Sequence, residues 1–272
     1  MAPGRDNGDQ SALAMFAAEL RAARGKAGLS RDELAALVNY SGSLIGMVET
    51  LARVPSLKLA QCLDAALETP GTFERMQQHV RAAPYPGWFA QWPDKEAQAT
   101  VLRSFELVVV PGLLQTDGYA RVVLRTRVKA TDEEIEDMVA ARMKRQAVLA
   151  RENPPMLWVI IAEGVLRCPV GGGKIMHEQL MHLGGMARRP NIVVQVIPLS
   201  VGAHEGFRGA FTIADFADTP SVAYQDTAVR GQVIEDSDDL MSLAVLWETL
   251  KAEALPRGAS LDLIGEVAQT WT

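Results

Sequence analysis

The chain has 272 residues, 48% of them hydrophobic, with a formal net charge of −6 and a pI near 5.3. This apolar content can bury a sizeable core, and the length allows two domains. The acidic balance argues against a protein that coats nucleic acid along its whole surface, although it permits a localised nucleic-acid-binding head. No apolar run approaches the ~18 residues of a membrane span, and the N-terminus lacks a secretory signal. We therefore expect a cytoplasmic protein without membrane contact.

Two further features of the composition set expectations about chemistry. Residues 1–10 are rich in Gly, Asp and Asn without apolar periodicity, which predicts a disordered tail. Cys62 and Cys168 are too few and too far apart for a disulfide framework. Cys62 lies on the inward side of an apolar helix pattern, which favours an inert thiol over a redox role. We predict no cofactor and no metal site.

The stretch from Leu29 to Leu51 has the pattern of two short helices joined by a tight turn. A capping box, Ser30 with Glu33, predicts a helix directly after Ser30, and Asn39 ends it. Ser41 predicts the cap of a second helix. The residues that recur at helical spacing and can pack the two helices together are Leu34, Ala35, Val38, Leu44, Ile45 and Val48.

Such a pair of helices either presents its second helix to DNA or belongs to a bundle that binds nothing. The small residue Ala35 allows a close, steep crossing that pushes the second helix outward, and the major groove is wide enough to admit it. The pattern favours DNA binding and leaves the bundle as the alternative.

The N-terminal region resembles the helix-turn-helix of the phage-repressor and XRE (xenobiotic-response-element) regulator family. The resemblance rests on an opening helix over 11–27, Gly28-Leu29-Ser30, Glu33-Leu34-Ala35, a helix over 41–49, Pro55 and a helix over 57–67. It implies an all-α, phage-repressor-like domain of about five helices that binds double-stranded DNA. The family's layout implies a reading head of Arg31, Ser41, Gly42, Ser43 and Met47, with phosphate contacts from Arg31 and Arg53.

This reading head offers few groups that discriminate bases. Residues 42–49 contain no Arg, Lys, Asn or Gln, which supply bidentate base contacts. The window 21–58 has six basic residues against three acidic ones, a modest footprint for phosphates. We expect weak or shape-dependent recognition unless a homodimer doubles the contacts. The alternative is a protein-interaction module, antitoxin-like, whose helix-turn-helix is degenerate.

A composition shift marks the end of this domain. Residues 84–93 hold three prolines and four aromatic residues, so they cannot be regular structure throughout. They predict an aromatic strap between domains, or alternatively the wall of a ligand pocket formed by Trp88, Phe89 and Trp92. The predicted organisation is a helix-turn-helix domain at 11–83, a connector at 84–100 and a larger domain at 101–272.

The larger domain alternates short strand patterns with amphipathic helices. An apolar run covers 105–110, and strands are predicted at about 156–162, 192–198, 210–216, 221–225 and 229–234. Helices are predicted at about 113–127, 131–151, 174–187, 238–254 and 261–268. These elements predict an α+β fold with a mixed or antiparallel sheet.

This second region resembles the large C-terminal domain of actinobacterial XRE-type regulators described as antitoxin-like. The resemblance is carried by residues 110–116 with Tyr119-Ala120, 141–146, 190–198, Gly202-Ala203-His204 and Phe211-Thr212, in that order. It implies a transcriptional regulator that is often encoded beside a small partner protein, which the C-terminal domain binds. Because a single head with few basic contacts binds DNA weakly, we also expect the C-terminal domain to mediate dimerisation and to bind any effector.

Several fragments that suggest an enzyme fail on spacing. His177 and His182 are five residues apart, whereas a helical zinc motif needs four. The stretch 171–174 lacks the first glycine and the Ser or Thr of a phosphate loop. We predict no catalytic residues, and we retain His204, in a Gly-flanked loop, with Trp88 and Trp92 as candidate contacts for a partner or effector.

Overall fold

The computed structural model describes residues 12–51, 53, 55–81, 89, 92–127, 130–227 and 231–271. Contacts divide the chain into two compact units, one up to residue 91 and the other from Trp92 onward. Each unit has its own hydrophobic core. The domain boundaries expected from the sequence stay predictions.

In the described residues of the first unit, all of the regular secondary structure is helical. Its helices are α1 (Ala12–Lys26), α2 (Arg31–Val38), α3 (Gly42–Glu49), α4 (Leu57–Ala66) and α5 (Thr72–Arg81). They enclose a core in which the Phe16 and Phe73 rings lie 5.3 Å apart and are fully buried. This core joins the first helix to the last, so the helices form one folded body.

The second unit is an α+β domain. Its elements in chain order are α6 (Trp92–Gln98), β1 (Val101–Glu106), α7 (Asp117–Arg125), α8 (Asp132–Arg145), β2 (Met156–Ala162), α9 (Glu163–Arg167), α10 (Gly173–Met186), β3 (Ile192–Ile197), β4 (Phe211–Asp215), β5 (Val222–Asp226), β6 (Gly231–Ile234), α11 (Ser237–Glu253) and α12 (Arg257–Gln269). Short 3₁₀ helices cover Gly112–Leu114, Gln146–Leu149, Leu199–Val201 and Glu205–Arg208.

The six strands form one mixed sheet in the order β3-β2-β1-β4-β5-β6. β1, β2 and β3 run parallel, and β4, β5 and β6 continue as an antiparallel meander from β1. Phe105 in β1 is registered with Ile160 on one side and with Phe211 on the other. The fold predicted from the sequence, a helical helix-turn-helix domain followed by an α+β domain, is confirmed.

One apolar core of the second unit joins the sheet to α11. Side chains from β1, β2, β4 and β5 meet Leu243, Trp247 and Leu250 of α11 in this cluster. α11 is capped at its start by Asp236, whose carboxylate accepts the backbone N–H groups of Asp238 and Asp239. The cap fixes where the helix begins, and its apolar side then closes the sheet face.

Two predicted helix boundaries were wrong for local reasons, and one strand was not predicted. The helix expected from residue 113 starts at Asp117, because Thr116 caps it by accepting the N–H of Tyr119 at 3.3 Å. The helix expected to reach residue 151 ends at Arg145, where the backbone tightens into a 3₁₀ turn. The apolar run at 105–110 is only partly a strand, because β1 starts earlier, at Val101, and includes polar Arg103.

None of the helices in the described parts of the chain is both long and apolar enough to cross a membrane.

Candidate DNA-binding site

The turn between α2 and α3 has the caps that the sequence predicts. The Ser30 hydroxyl accepts the Glu33 N–H at 3.2 Å, and the Glu33 carboxylate accepts the Ser30 N–H at 2.8 Å. Asn39 ends α2 in the left-handed conformation, with φ 57° and ψ 43°. The Ser41 hydroxyl accepts the N–H of Leu44 at 3.2 Å. These bonds fix where each helix starts and ends, and so how α3 leaves α2.

The two helices pack through the side chains that recur at helical spacing. Leu34, Ala35 and Val38 of α2 and Ile45 and Val48 of α3 are all buried in the core of the first unit. Ala35 is 2% exposed, which agrees with its expected role as the small residue at a close crossing. This packing leaves the opposite side of α3 outside the core.

That opposite side, the outward face of α3, consists of Ser43, Gly46, Met47 and the C-cap Thr50. Ser43 and Thr50 are exposed, while Gly46 and Met47 are half-buried. The Thr50 hydroxyl donates to the Gly46 carbonyl at 2.8 Å. The predicted reading residues Ser41 and Gly42 lie at the N-terminal end of the same helix. The outward face carries no charged side chain.

The charged residue of α3, Glu49, is fully buried within an ion cluster. Its carboxylate accepts Nε of Arg24 at 2.7 Å and Nε of Arg31 at 2.6 Å, and its backbone carbonyl accepts a bond from Arg21. Burial alone would raise the pKa of the Glu49 carboxyl, but the hydrogen bonds and charges of Arg24 and Arg31 outweigh it and hold that pKa below its ordinary value. The cluster ties α1, α2 and α3 together. The cluster was not predicted from the sequence, although an acidic residue directly after inward-facing Val48 indicates a buried ion pair.

Arg31 therefore has a fixed partner within the protein. Its side chain is 49% exposed, whereas that of Arg24 is 19% exposed. Among the described residues, Glu49 accepts a hydrogen bond from Nε of Arg31 and from no other atom of its guanidinium.

Two glycines of α3 lie beside side chains that come from α2. A Cβ placed on Gly46 would lie 3.8 Å from both Cδ and Nη1 of Arg31, in van der Waals contact. A Cβ placed on Gly42 would lie 1.7 Å from Oδ1 of Asp32, which is too close to coexist with it. Arg31 thus lies against Gly46, and the Asp32 carboxylate occupies the space of a side chain at position 42.

The other predicted phosphate contact, Arg53, is exposed just beyond α3. Its backbone N–H donates to the Met47 carbonyl at 3.2 Å, which holds it near the C-terminal end of the helix. Leu51, between Thr50 and Arg53, adopts a left-handed φ of 64° where glycine is the easier residue.

The candidate contacts Trp92 and His204 have different environments. Trp92 is 3% exposed and stacks on Tyr224, with ring centroids 5.2 Å apart, a contact that lies within the second unit. Nδ1 of His204 accepts the Gly206 N–H at 3.2 Å, and its ring lies 4.6 Å from that of Phe207. These contacts shape the loop around His204. Trp88 lies outside the described residues.

Buried amides fix the loop at 110–116, which carries part of the resemblance in the second unit. Gln115 donates to the Val110 carbonyl at 2.6 Å, and its own oxygen accepts from Arg142 at 2.7 Å. Gln179 of α10 accepts the Thr116 N–H at 2.8 Å. The loop conformation therefore depends on side chains from two helices.

Glu106, at the end of β1, has a strongly perturbed carboxyl. Burial raises its pKa to about 8; repulsion from Asp226 adds to the rise, while a 3.3 Å bond from Ser104 and the charge of Arg142 oppose it. Glu106 is therefore largely protonated at neutral pH.

The fragments that suggested enzymes have structural explanations. The His177 ring bonds the Ala268 carbonyl at 2.9 Å, which ties α10 to α12. Burial lowers the pKa of His182, which keeps this ring neutral. Among the described residues, no three His, Cys, Asp or Glu side chains lie close enough together to hold a metal ion.

Comparison with protein families gives two matches. Residues 15–75 match a helix-turn-helix domain, and this range contains α2, α3 and the ion cluster. Residues 89–266 match a domain of unknown function, DUF5753. Comparisons with curated proteins and with solved structures gave no match. Since the second family match covers more than half of the chain, the protein belongs to the DUF5753 family, with a helix-turn-helix domain preceding the family's domain.

Proposed function

We propose that the protein is a sequence-specific transcriptional regulator that binds double-stranded DNA through α3. The observation that carries the proposal is the geometry of α2 and α3, in a region that matches a helix-turn-helix family. Both helices are capped, and α3 turns one side to the core and leaves the other accessible. A helix of this size fits the major groove, and its N-terminal residues are the ones that meet base edges.

The ion cluster around Glu49 would hold α3 in place when the protein binds DNA. Glu49 joins three helices through Arg24 and Arg31, so α3 cannot tilt without breaking charge-assisted hydrogen bonds. A rigid α3 keeps Ser43 and Met47 in register with the bases. Exposed Arg53 and Lys58 supply positive charge for phosphates near the C-terminal end of α3.

We further propose that the DUF5753 domain provides homodimerisation and binds an effector or a small partner protein, as an antitoxin-like regulator would. The support comes from the helix-turn-helix domain. Because the outward face of α3 is uncharged, one such domain binds DNA weakly, and a dimer places a second domain on a second half-site. The same uncharged face favours the alternative, an interaction module whose helix-turn-helix has lost its target.

Selection of bound fragments from genomic DNA by the purified full-length chain tests the proposal. The regulator predicts a shared motif in the recovered fragments, with two half-sites about one helical turn apart. Recovery of fragments without a common motif would support the interaction module instead. Sedimentation of the same chain without DNA measures its oligomeric state, and a monomer would contradict the dimer.

A further inference from the structure

The outward face of α3 offers few groups that could recognise bases. None of the side chains on the outward face of α3 can make a bidentate base contact, because they are serine, glycine, methionine and threonine. The face also contains a glycine within a helix, which costs about 1 kcal/mol relative to alanine. A second glycine stands at the first position of α3. Each of these glycines lies beside a side chain of α2.

Arg31 lies over the gap at Gly46. Its Cδ and Nη1 are each 3.8 Å from where a Cβ on Gly46 would stand, so the guanidinium extends along α3 although it belongs to α2. Glu49 binds Nε at 2.6 Å and thereby orients the group. Nη1 and Nη2 remain as the pair of donors that an arginine offers to the O6 and N7 atoms of guanine.

Asp32 comes closer to Gly42 than Arg31 comes to Gly46, and it fills the space of a side chain at position 42. Its Oδ1 stands 1.7 Å from the position of a Cβ on Gly42, so the carboxylate takes the place of the missing side chain. A carboxylate at the start of a recognition helix can accept a hydrogen bond from N4 of cytosine. Gly42 and Gly46 are one helical turn apart, roughly 6 Å, which is about two base steps.

We propose that the DNA-reading surface is composite: Arg31 and Asp32 of α2 reach across the glycines of α3 and read a guanine and a cytosine. The inference rests on the proposed function, since it assigns readers to a DNA-binding helix. It also changes the expected role of Arg31 from a phosphate contact to a base contact. A phosphate contact needs only positive charge, whereas a base contact needs a guanidinium of fixed direction, which the bond to Glu49 provides.

Selection from a random duplex library with the full-length chain and its variants provides the test. Arg31→Ala should lose preference at one guanine, with an affinity loss of about 5- to 150-fold on the matched site and little loss on a duplex that already lacks that guanine. Asp32→Asn should change one preferred cytosine to adenine, because an amide pairs with adenine N6 and N7.

Arg53→Ala serves as the matched control for charge. It should weaken binding to all duplexes alike and reduce the salt slope by about one unit, as expected when a phosphate contact is lost. If Arg31→Ala behaves in this uniform way and leaves the motif unchanged, Arg31 is a phosphate contact and the inference fails for it. An unchanged motif in Asp32→Asn refutes the role of Asp32.

Gly42→Ala separates base reading from folding. Alanine improves helix propensity, so the fold is retained, but its Cβ must displace the Asp32 carboxylate. The variant should lose the same cytosine preference as Asp32→Asn while its circular dichroism and melting match the wild type. Retention of that preference would contradict the composite surface. If the wild-type chain selects no motif, both this inference and the proposed function are overturned. If it selects a motif that Arg31→Ala, Asp32→Asn and Gly42→Ala all leave unchanged, only this inference is overturned.

Discussion

Replacing Glu49 by Gln tests whether the buried ion cluster organises the DNA-binding unit. The substitution keeps the shape of the side chain but removes a charge that is fully buried. The bond to Arg24 is the larger contribution, because Arg24 is 19% exposed and a charge-assisted hydrogen bond there is worth about 1.5–3 kcal/mol. The bond to Arg31 is discounted to about 0–1 kcal/mol, since that side chain is 49% exposed. We therefore expect Glu49→Gln to cost about 1.5–4 kcal/mol of unfolding free energy.

Hydrogen exchange of the full-length chain measures this loss of stability locally, through the protection of the backbone amides in α1, α2 and α3. Glu19→Gln is the matched control, because Glu19 is an exposed glutamate on α1. The pKa of Glu49 is lowered in the folded chain, so its contribution is present above the ordinary value of 4.5 and is lost as the pH falls below it. The difference between wild type and variant should therefore shrink in acid. A loss no larger than that of the control, or one independent of pH, would refute this reasoning.

Three other substitutions have defined outcomes. Glu106→Gln should stabilise the protein by about 4 kcal/mol at pH 8 and by little at pH 4. The wild-type carboxyl has a pKa raised to about 8, so its contribution to stability is fully present below the ordinary pKa of 4.5 and is lost as the pH rises to 8. Urea titrations at both pH values would show this, and equal effects at the two pH values would contradict the assignment. Trp92→Ala should cost about 3–5 kcal/mol through lost burial against Tyr224, and Trp92→Phe distinctly less, as judged by urea unfolding. Ser43→Ala should change preference at one base position by about 1 kcal/mol or less in a competition assay, and uniform weakening would make Ser43 a phosphate contact instead.

Much of the N-terminal unit could be predicted because its signals are local. Ser30, Asn39 and Ser41 act on the helix that each of them borders, and the structure has all three in their expected roles. The contacts of Glu49 and Asp32 could not be read in the same way. Glu49 meets Arg24 from 25 residues away, and Asp32 meets Gly42 only because α2 and α3 cross closely. Such pairs depend on helix packing, which spacing along the chain does not specify.

In the larger domain, too, local patterns could be predicted from the sequence and long-range contacts could not. The strand at Met156–Ala162 was predicted at its observed bounds, because a continuous apolar run marks a buried parallel strand. β1 was not among the predicted strands, because Arg103 and Ser104 interrupt its apolar pattern and are satisfied by Asp215 and Thr212 on β4. Those partners lie more than 100 residues away in sequence, so their effect appears only once the sheet is formed.

The ratio of two dissociation constants tests the central claim most directly. Full-length protein would be titrated, at one fixed salt concentration near 150 mM, against a duplex that carries the selected motif and against the same duplex with its bases shuffled. A sequence-specific regulator predicts binding at least about 10³-fold tighter to the motif. Equal affinity for the two duplexes would contradict sequence-specific recognition through α3.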